Sequence, residues 1–169
     1  ALASACQPVS LADGRVIFKK IDVQKSAQAH FTTFENLLAQ AAEEVRIILE
    51  FCSPTSFSHP SEEGLLPLPN LVFTSILEKW NSFSDRKIPD EAGKAFEKIR
   101  IDWIRLKTEF VRYSWGKIPG FIGKVIYRLP ESMGRETRRW VNALADFTFF
   151  SGVGKNTFLG MGQARRKEK

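Results

Sequence analysis

From residue 44 to residue 166 the apolar residues change their spacing again and again, and that succession restricts the fold more than any other feature of the chain. In "EVRIILEF", residues 44–51, Val45, Ile47, Leu49 and Phe51 alternate with other residues, the period of a strand with one buried face. The next stretch, "CSPTSFSHPSEEGLLPLP", is rich in Ser, Pro and Gly and reads as a loop up to Pro69. Pro69 then opens a helix on which Phe73, Ile76, Leu77 and Trp80 form one stripe. After a connector over residues 85–98 with room for a short helix come two extended stretches, "IDWIRLKTEFVRYSW" and "FIGKVIYRL", separated by "GKIPG", which predicts a hairpin with its turn at Gly116 to Gly120. The apolar parity drifts within the first of them, with Ile104, Leu106 and Phe110 on one face and Val111 and Tyr113 on the other, so a bulge or strong twist is expected. Residues 135–150 are helical, with Trp140, Leu144 and Phe147 inward and Arg135, Arg139 and Asn142 on another face. Residues 157–166 are expected to form a last strand. The order β-α-β-β-α-β predicts an α+β, ferredoxin-like fold: one antiparallel sheet with its helices on one face. Upstream, residues 15–23 read as a strand and residues 33–41 as a short helix, neither with an obvious partner.

Charge is distributed unevenly. The first 85 residues hold 6 Lys and Arg against 10 Asp and Glu, whereas residues 86–169 hold 19 against 9. A basic half of this kind is the footprint of a surface for polyanions. The basic segments read partly as strands, so a membrane-surface helix fits less well. No apolar run reaches spanning length, and the chain starts with Ala1 without a basic-then-apolar leader, as expected of a trimmed or excised piece. Cys6 and Cys52 form neither a disulfide framework nor a metal spacing, so a reducing, cytoplasmic setting is expected. His30 and His59, without matched cysteine or carboxylate spacing, make no zinc site.

Near the end, "SGVGKNTFLGMGQARR" sets Gly152, Gly154, Gly160 and Gly162 in two G-x-G pairs beside cations. Val153, Leu159 and Met161 argue against a disordered tail, and paired glycines suggest a shaped loop whose N–H groups face an anion or shape the domain surface. It is not a nucleotide phosphate loop. Phe149 stands five residues before Gly154 where a Walker motif needs glycine, Asn156 follows Lys155 where Ser or Thr belongs, and Thr157 replaces the third glycine of a dinucleotide fingerprint.

This G-h-G-x5-G-h-G pattern, with Val153 and Met161 as the hydrophobic residues, lies between the second helix and the last strand of a ferredoxin-like domain. It resembles the C-terminal glycine-rich signature of the CRISPR repeat-processing endoribonucleases of the RAMP superfamily. "FCSPTSF", residues 51–57, followed by "LPLPNLVFTSILEKWN", is similar to the opening of the C-terminal domain in that family. The resemblance covers residues 44–166. It implies a domain layout of 1–43 as linker or tail of a missing first ferredoxin-like domain and 44–169 as the C-terminal one. It also implies an enzyme that binds CRISPR repeat RNA, precursor and processed guide, and cuts it without a cofactor or metal by attack of the ribose 2′-hydroxyl, leaving a 2′,3′-cyclic phosphate. The catalytic histidine of such relatives is commonly in the first domain, so the catalytic residues here are unassigned and His30 and His59 are expected to be structural.

RNA-binding residues follow from the loop and the cations together. The main chain at Gly152, Gly154, Gly160 and Gly162, with Lys155, Asn156 and Thr157 at the loop tip, is expected to meet the RNA, Lys155 first among them. Arg165 and Arg166, Arg135, Arg138 and Arg139 on the helix, and Lys117 and Lys124 on the hairpin extend the track, and Gln163 offers either a base-edge or sugar contact or a strand cap. Other effector-complex subunits are further partners, no membrane is, and a monomer or a homodimer fits. Two other readings share the fold: a non-catalytic RAMP subunit that holds guide RNA, and a protein-interaction domain without nucleic acid. An ordinary RNA-recognition motif fits poorly, because "KIPGFIGKVIY" lacks its paired stacking aromatics.

Overall fold

A computed structural model describes residues 9–11, 14–16, 32–58 and 63–167. Cys6, His30, His59 and the expected strand beyond residue 16 lie outside the described residues. The chain divides into two compact units, Ala1–Thr33 and Phe34–Lys169. The first contains one antiparallel pair, β1 (Val9–Leu11) and β2 (Gly14–Val16), with Val9 opposite Val16. The division falls before α1 (Phe34–Ala39), so the residues just ahead of position 44 pack with the second unit.

The second unit continues with β3 (Arg46–Thr55), a small pair β4 (Phe57–Ser58) and β5 (Glu63–Gly64), then α2 (Pro69–Phe83), α3 (Asp90–Lys94), β6 (Arg100–Tyr113), β7 (Gly116–Arg128), α4 (Arg135–Ser151) and β8 (Ala164–Lys167). Its four-stranded sheet has the order β6-β7-β3-β8, every neighbour antiparallel. With β3, α2, β6, β7, α4 and β8 this is the expected β-α-β-β-α-β ferredoxin-like plan.

One face of the sheet holds the core. Ile47, Leu49 and Phe51 of β3 are buried, as are Val125 and Tyr127 of β7. Against them pack Val72, Phe73, Ile76, Leu77 and Trp80, the stripe of α2, and Val141, Leu144 and Phe147 of α4. Phe34 of α1 closes this layer, its ring 4.9 Å from Trp80 and 5.3 Å from Phe147. The edge-to-face geometry of the Phe34–Trp80 pair adds to burial. The polar ends of the large rings are satisfied: the Tyr127 hydroxyl donates to the Pro67 carbonyl at 2.8 Å and the Trp80 indole N–H to Arg86 at 2.9 Å. Among the described residues, no helix is long and apolar enough to cross a membrane.

Three expectations need correction, and the bulge expected in the first hairpin strand is present. The Ser/Pro stretch after Phe51 is not all loop, because β3 runs on to Thr55 through an irregularity between Phe51 and Thr55. The hairpin turn is Ser114 and Trp115, and "GKIPG" lies within β7. Pro119 is tolerated there because the last β3 pairing is at Phe121, leaving the main chain a neighbour on one side only. The bulge of β6 sits between Ile101 and Trp103, at its start. Residues 157–163 are a 3-10 turn (Thr157–Leu159) followed by irregular backbone, with Gly160 and Gly162, like Asn156 before them, in the left-handed region, so the last strand is only Ala164–Lys167.

Candidate functional site

Strand parity builds the site. Because Ile47 and Leu49 point into the core, Arg46, Ile48 and Glu50 are placed on the face of the sheet away from the helices. Their ladder partners share that face and form rows across the strands. Arg46 lies opposite Arg128, which lies opposite Arg100. One row further along come Lys167, Ile48, Ile126 and Trp103, and then Arg165, Glu50, Lys124 and Arg105. Two rows rich in cations thus flank one that is apolar except for Lys167 at its β8 end, and whose Trp103 is 45 % exposed. Glu50, Trp103, Arg105, Lys107, Lys124 and Arg165 line an open groove of about 760 Å³.

Glu50 organises the cations. Its carboxylate accepts from Arg165 at 2.7 Å and lies 3.3 Å from Lys167 and 3.5 Å from Lys124. Burial opposes its ionisation, but the hydrogen bonds and charges of Arg165 and Lys167 outweigh that, so its carboxyl titrates below the ordinary value. Three cations around one carboxylate leave positive charge in excess, held in fixed positions. Asp102 does the same for Arg128, accepting from its Nε at 2.6 Å. Like charges directly opposite each other cost a sheet stability, a cost that a bound polyanion relieves.

The glycine loop is shaped as expected but wired differently. Gly152, Gly154, Gly160 and Gly162 all have positive φ. Yet their N–H groups donate within the protein: Gly152 to Thr148 at 3.0 Å, Gly154 to the Ser75 hydroxyl at 2.8 Å, Gly160 to Thr157 at 3.1 Å and Gly162 to Pro54 at 3.0 Å. The Lys155 N–H donates to Ser56 at 2.9 Å and the Val153 N–H to Gly162 at 2.7 Å. The expected main-chain cradle for an anion is therefore corrected, since these donors are already spent. The loop is a strap that ties the end of α4 to α2 and to the irregular end of β3, with Lys155 and Asn156 half-buried at its tip. Thr157 turns inward, its methyl 3.0 Å from where a Cβ on Gly152 would stand. The Gln163 side chain donates to the Phe149 carbonyl at 3.1 Å, capping α4.

Lys79 of α2 holds the strap from beneath, its ammonium donating to the carbonyls of Gly152 at 3.1 Å and Gly154 at 3.2 Å. Burial lowers its pKa from 10.5 to about 8, against a smaller opposing effect of Glu78. Between these two values the unfolded chain binds more protons than the folded one, so Lys79 makes stability rise with pH across that window. The stability difference between the native chain and Lys79→Met is expected to grow in favour of the native chain from pH 8 to 10.5 in urea unfolding. A difference that stays flat would contradict the depressed value.

The structure brings together only some of the expected contact residues. Lys124 and Arg165 meet on the open face, and Lys117 is exposed at the hairpin tip. Arg166, one residue on, points to the helix side, where it bonds Asn142, Asp146 and Glu44. Desolvation keeps Asp146 above its ordinary pKa in spite of that partner. Asn142, expected in line with Arg135 and Arg139 on another face of α4 than the inward one, is buried and donates to the Glu44 and Arg138 carbonyls. Arg135 pairs with Glu43 at 2.7 Å, Arg138 donates to the Glu131 and Met133 carbonyls, and Arg139 donates to Leu38 at 3.1 Å. These arginines fasten α4 to its surroundings, away from the open face. Sequence reasoning missed Arg46, Trp103, Arg105 and Lys167, although the alternation that placed Ile47 inside also placed Arg46 outside. Among the described residues, no three His, Cys, Asp or Glu side chains gather as a metal site.

Comparison with known proteins gives a consistent result. The family model for CRISPR-associated endoribonuclease Cas6 matches residues 49–164. The Cas6 endoribonuclease of Mycobacterium tuberculosis H37Rv is 27 % identical over 141 residues, covering 82 % of this chain and 44 % of its own length. That of Streptococcus thermophilus is 28 % identical over 123 residues, covering 70 % and 49 %. The chain therefore spans less than half the length of these curated relatives. A solved Cas6 product complex superposes with a TM-score of 0.85 at 29 % identity, covering 96 % of this chain and 67 % of that one.

Proposed function

Because the chain belongs to the Cas6 family of CRISPR-associated endoribonucleases, we propose that it is the C-terminal, RNA-gripping domain of an enzyme that processes CRISPR repeat transcripts. The observation that carries this reading is the open face of the sheet, where cationic rows flank an apolar row with an exposed tryptophan. Single-stranded RNA has that complementarity: phosphates for Arg46, Arg105, Lys124 and Arg165, and bases or sugars for Ile48, Ile126 and Trp103. Guanidinium and ammonium groups clamped by Glu50 and Asp102 are already in place before the strand arrives, which limits the ordering entropy of binding. The strap supports this surface from the end of β3, and Lys155 at its tip is a further phosphate contact.

The family's cleavage has the 2′-oxygen of one ribose attack the adjacent phosphorus while the bond to the next 5′-oxygen breaks, leaving a 2′,3′-cyclic phosphate and a 5′-hydroxyl. A base near the 2′-hydroxyl, an acid at the leaving oxygen and cations at the extra phosphate charge are needed. This domain contributes the cations and the positioning, and the base and acid belong to the rest of the enzyme. The complete protein incubated with repeat RNA and EDTA is expected to release a product ending in a cyclic phosphate. Cleavage abolished by the chelator would contradict the proposed chemistry. Salt-sensitive binding with no cleavage at all would instead favour a subunit that only holds guide RNA.

A further inference from the structure

We propose that the tip of the β6–β7 hairpin is a stacking platform for an unpaired nucleobase, with Tyr113 and Trp115 as the platform and Arg112 and Lys117, on the other face of the ribbon, for the phosphates of the strand as it rounds the tip. The inference rests on the RNA-binding reading above and adds a separate contact, beyond the open-face rows. The two-residue turn at Ser114 and Trp115 brings the rings of Tyr113 and Trp115 into parallel contact, with centroids 5.0 Å apart and planes inclined by 2°. Trp115 is 67 % exposed, so the ring face turned away from Tyr113 is in water. A tryptophan in that position adds nothing to the core, but it presents a flat π surface on which any base can stack. The platform is also fixed in place. The Tyr113 hydroxyl donates to the Leu159 carbonyl at 3.1 Å, anchoring the hairpin tip to the glycine strap, where the neighbouring Phe158 is 85 % exposed.

The charges select the occupant. Arg112 and Lys117 face each other directly in the ladder, an arrangement that destabilises a strand pair, and neither has a carboxylate partner among the described residues. A phosphodiester relieves that repulsion, and an apolar partner surface does not. The cations lie on the opposite side of the ribbon from Tyr113, so a strand that stacks a base on Trp115 passes them as it rounds the tip.

The test uses the whole 169-residue chain and two probes, a short oligoadenylate and an abasic strand of the same length, with affinity read by fluorescence anisotropy at one salt concentration. Trp115→Leu is expected to weaken oligoadenylate binding roughly tenfold and Trp115→Phe by less than about threefold. On the abasic strand all three proteins should bind alike. The inference is overturned if Trp115→Leu binds oligoadenylate as well as the native chain, or loses equally on both strands. In either case salt-dependent RNA binding by the native chain would leave the RNA-gripping reading standing, whereas no binding by the native chain at any salt would remove both. Self-association that Trp115→Leu abolishes, with RNA affinity unchanged, would assign the tip to a second copy of the chain and also overturns it. Equal melting temperatures establish that the variants fold.

Discussion

Gly162→Ala is expected to destabilise the domain by about 4 kcal/mol or more, enough to leave a marginal chain unfolded. Gly162 has φ of 73°, where a side chain is strained, and a Cβ built there would stand 2.0 Å from the Val153 carbonyl oxygen. That carbonyl belongs to the main chain and cannot turn aside. Relief would require parting the strap and breaking the bonds from Val153 to Gly162 and from Gly162 to Pro54. Gly154 is similar, its Cβ position lying 2.3 Å from the Ser56 carbonyl oxygen. Gly160 is the internal control, because its φ of 83° carries the same strain but nothing lies within 4 Å of a Cβ there. Gly160→Ala should therefore cost only about 1 kcal/mol. Urea unfolding of the two variants separates these effects, and equal midpoints would mean that the strap is not the rigid element described.

That contrast shows what the amino-acid order made legible. The glycine pattern pointed to a shaped loop, and the loop is shaped. The pattern leaves open whether its N–H groups face an anion or shape the domain surface, because local sequence does not show that Pro54, Ser56 and Ser75 supply acceptors from far along the chain. The same long-range partners explain why "CSPT" is strand: the Cys52 N–H donates to Gln163 at 2.7 Å, so the segment finds its ladder in residues more than a hundred positions away. The β-α-β-β-α-β order was readable because each element buries one face, and burial imposes a period. Turn chemistry misled at "GKIPG", where Gly and Pro sit in an edge segment and the actual turn uses Ser114 and Trp115.

Grouping cations by proximity in sequence misled in another way. Arg165 and Arg166 are neighbours, but alternate residues of a strand face opposite sides, so one reaches the open face and the other locks α4 through Asp146 and Asn142. Arg135, Arg138 and Arg139 are likewise committed to carboxylates and carbonyls on the helix side. Conversely, Arg46, Arg105, Lys124 and Arg165 come from four different strands and are assembled by register alone.

The open face is the centre of the account, and salt dependence tests it most directly. Each single-strand phosphate contact contributes about 0.7 to the slope of log affinity against log salt. Replacing Arg105, Lys124 and Arg165 together by Gln is expected to lower that slope by about two for a single-stranded repeat RNA, with affinity falling roughly a hundredfold near 0.1 M salt. Removing Arg135 and Arg139 from the helix side should leave the slope unchanged. An unaltered slope in the open-face variant, or an equal loss in the helix-side one, would contradict the claim that this domain grips RNA through the exposed side of its sheet.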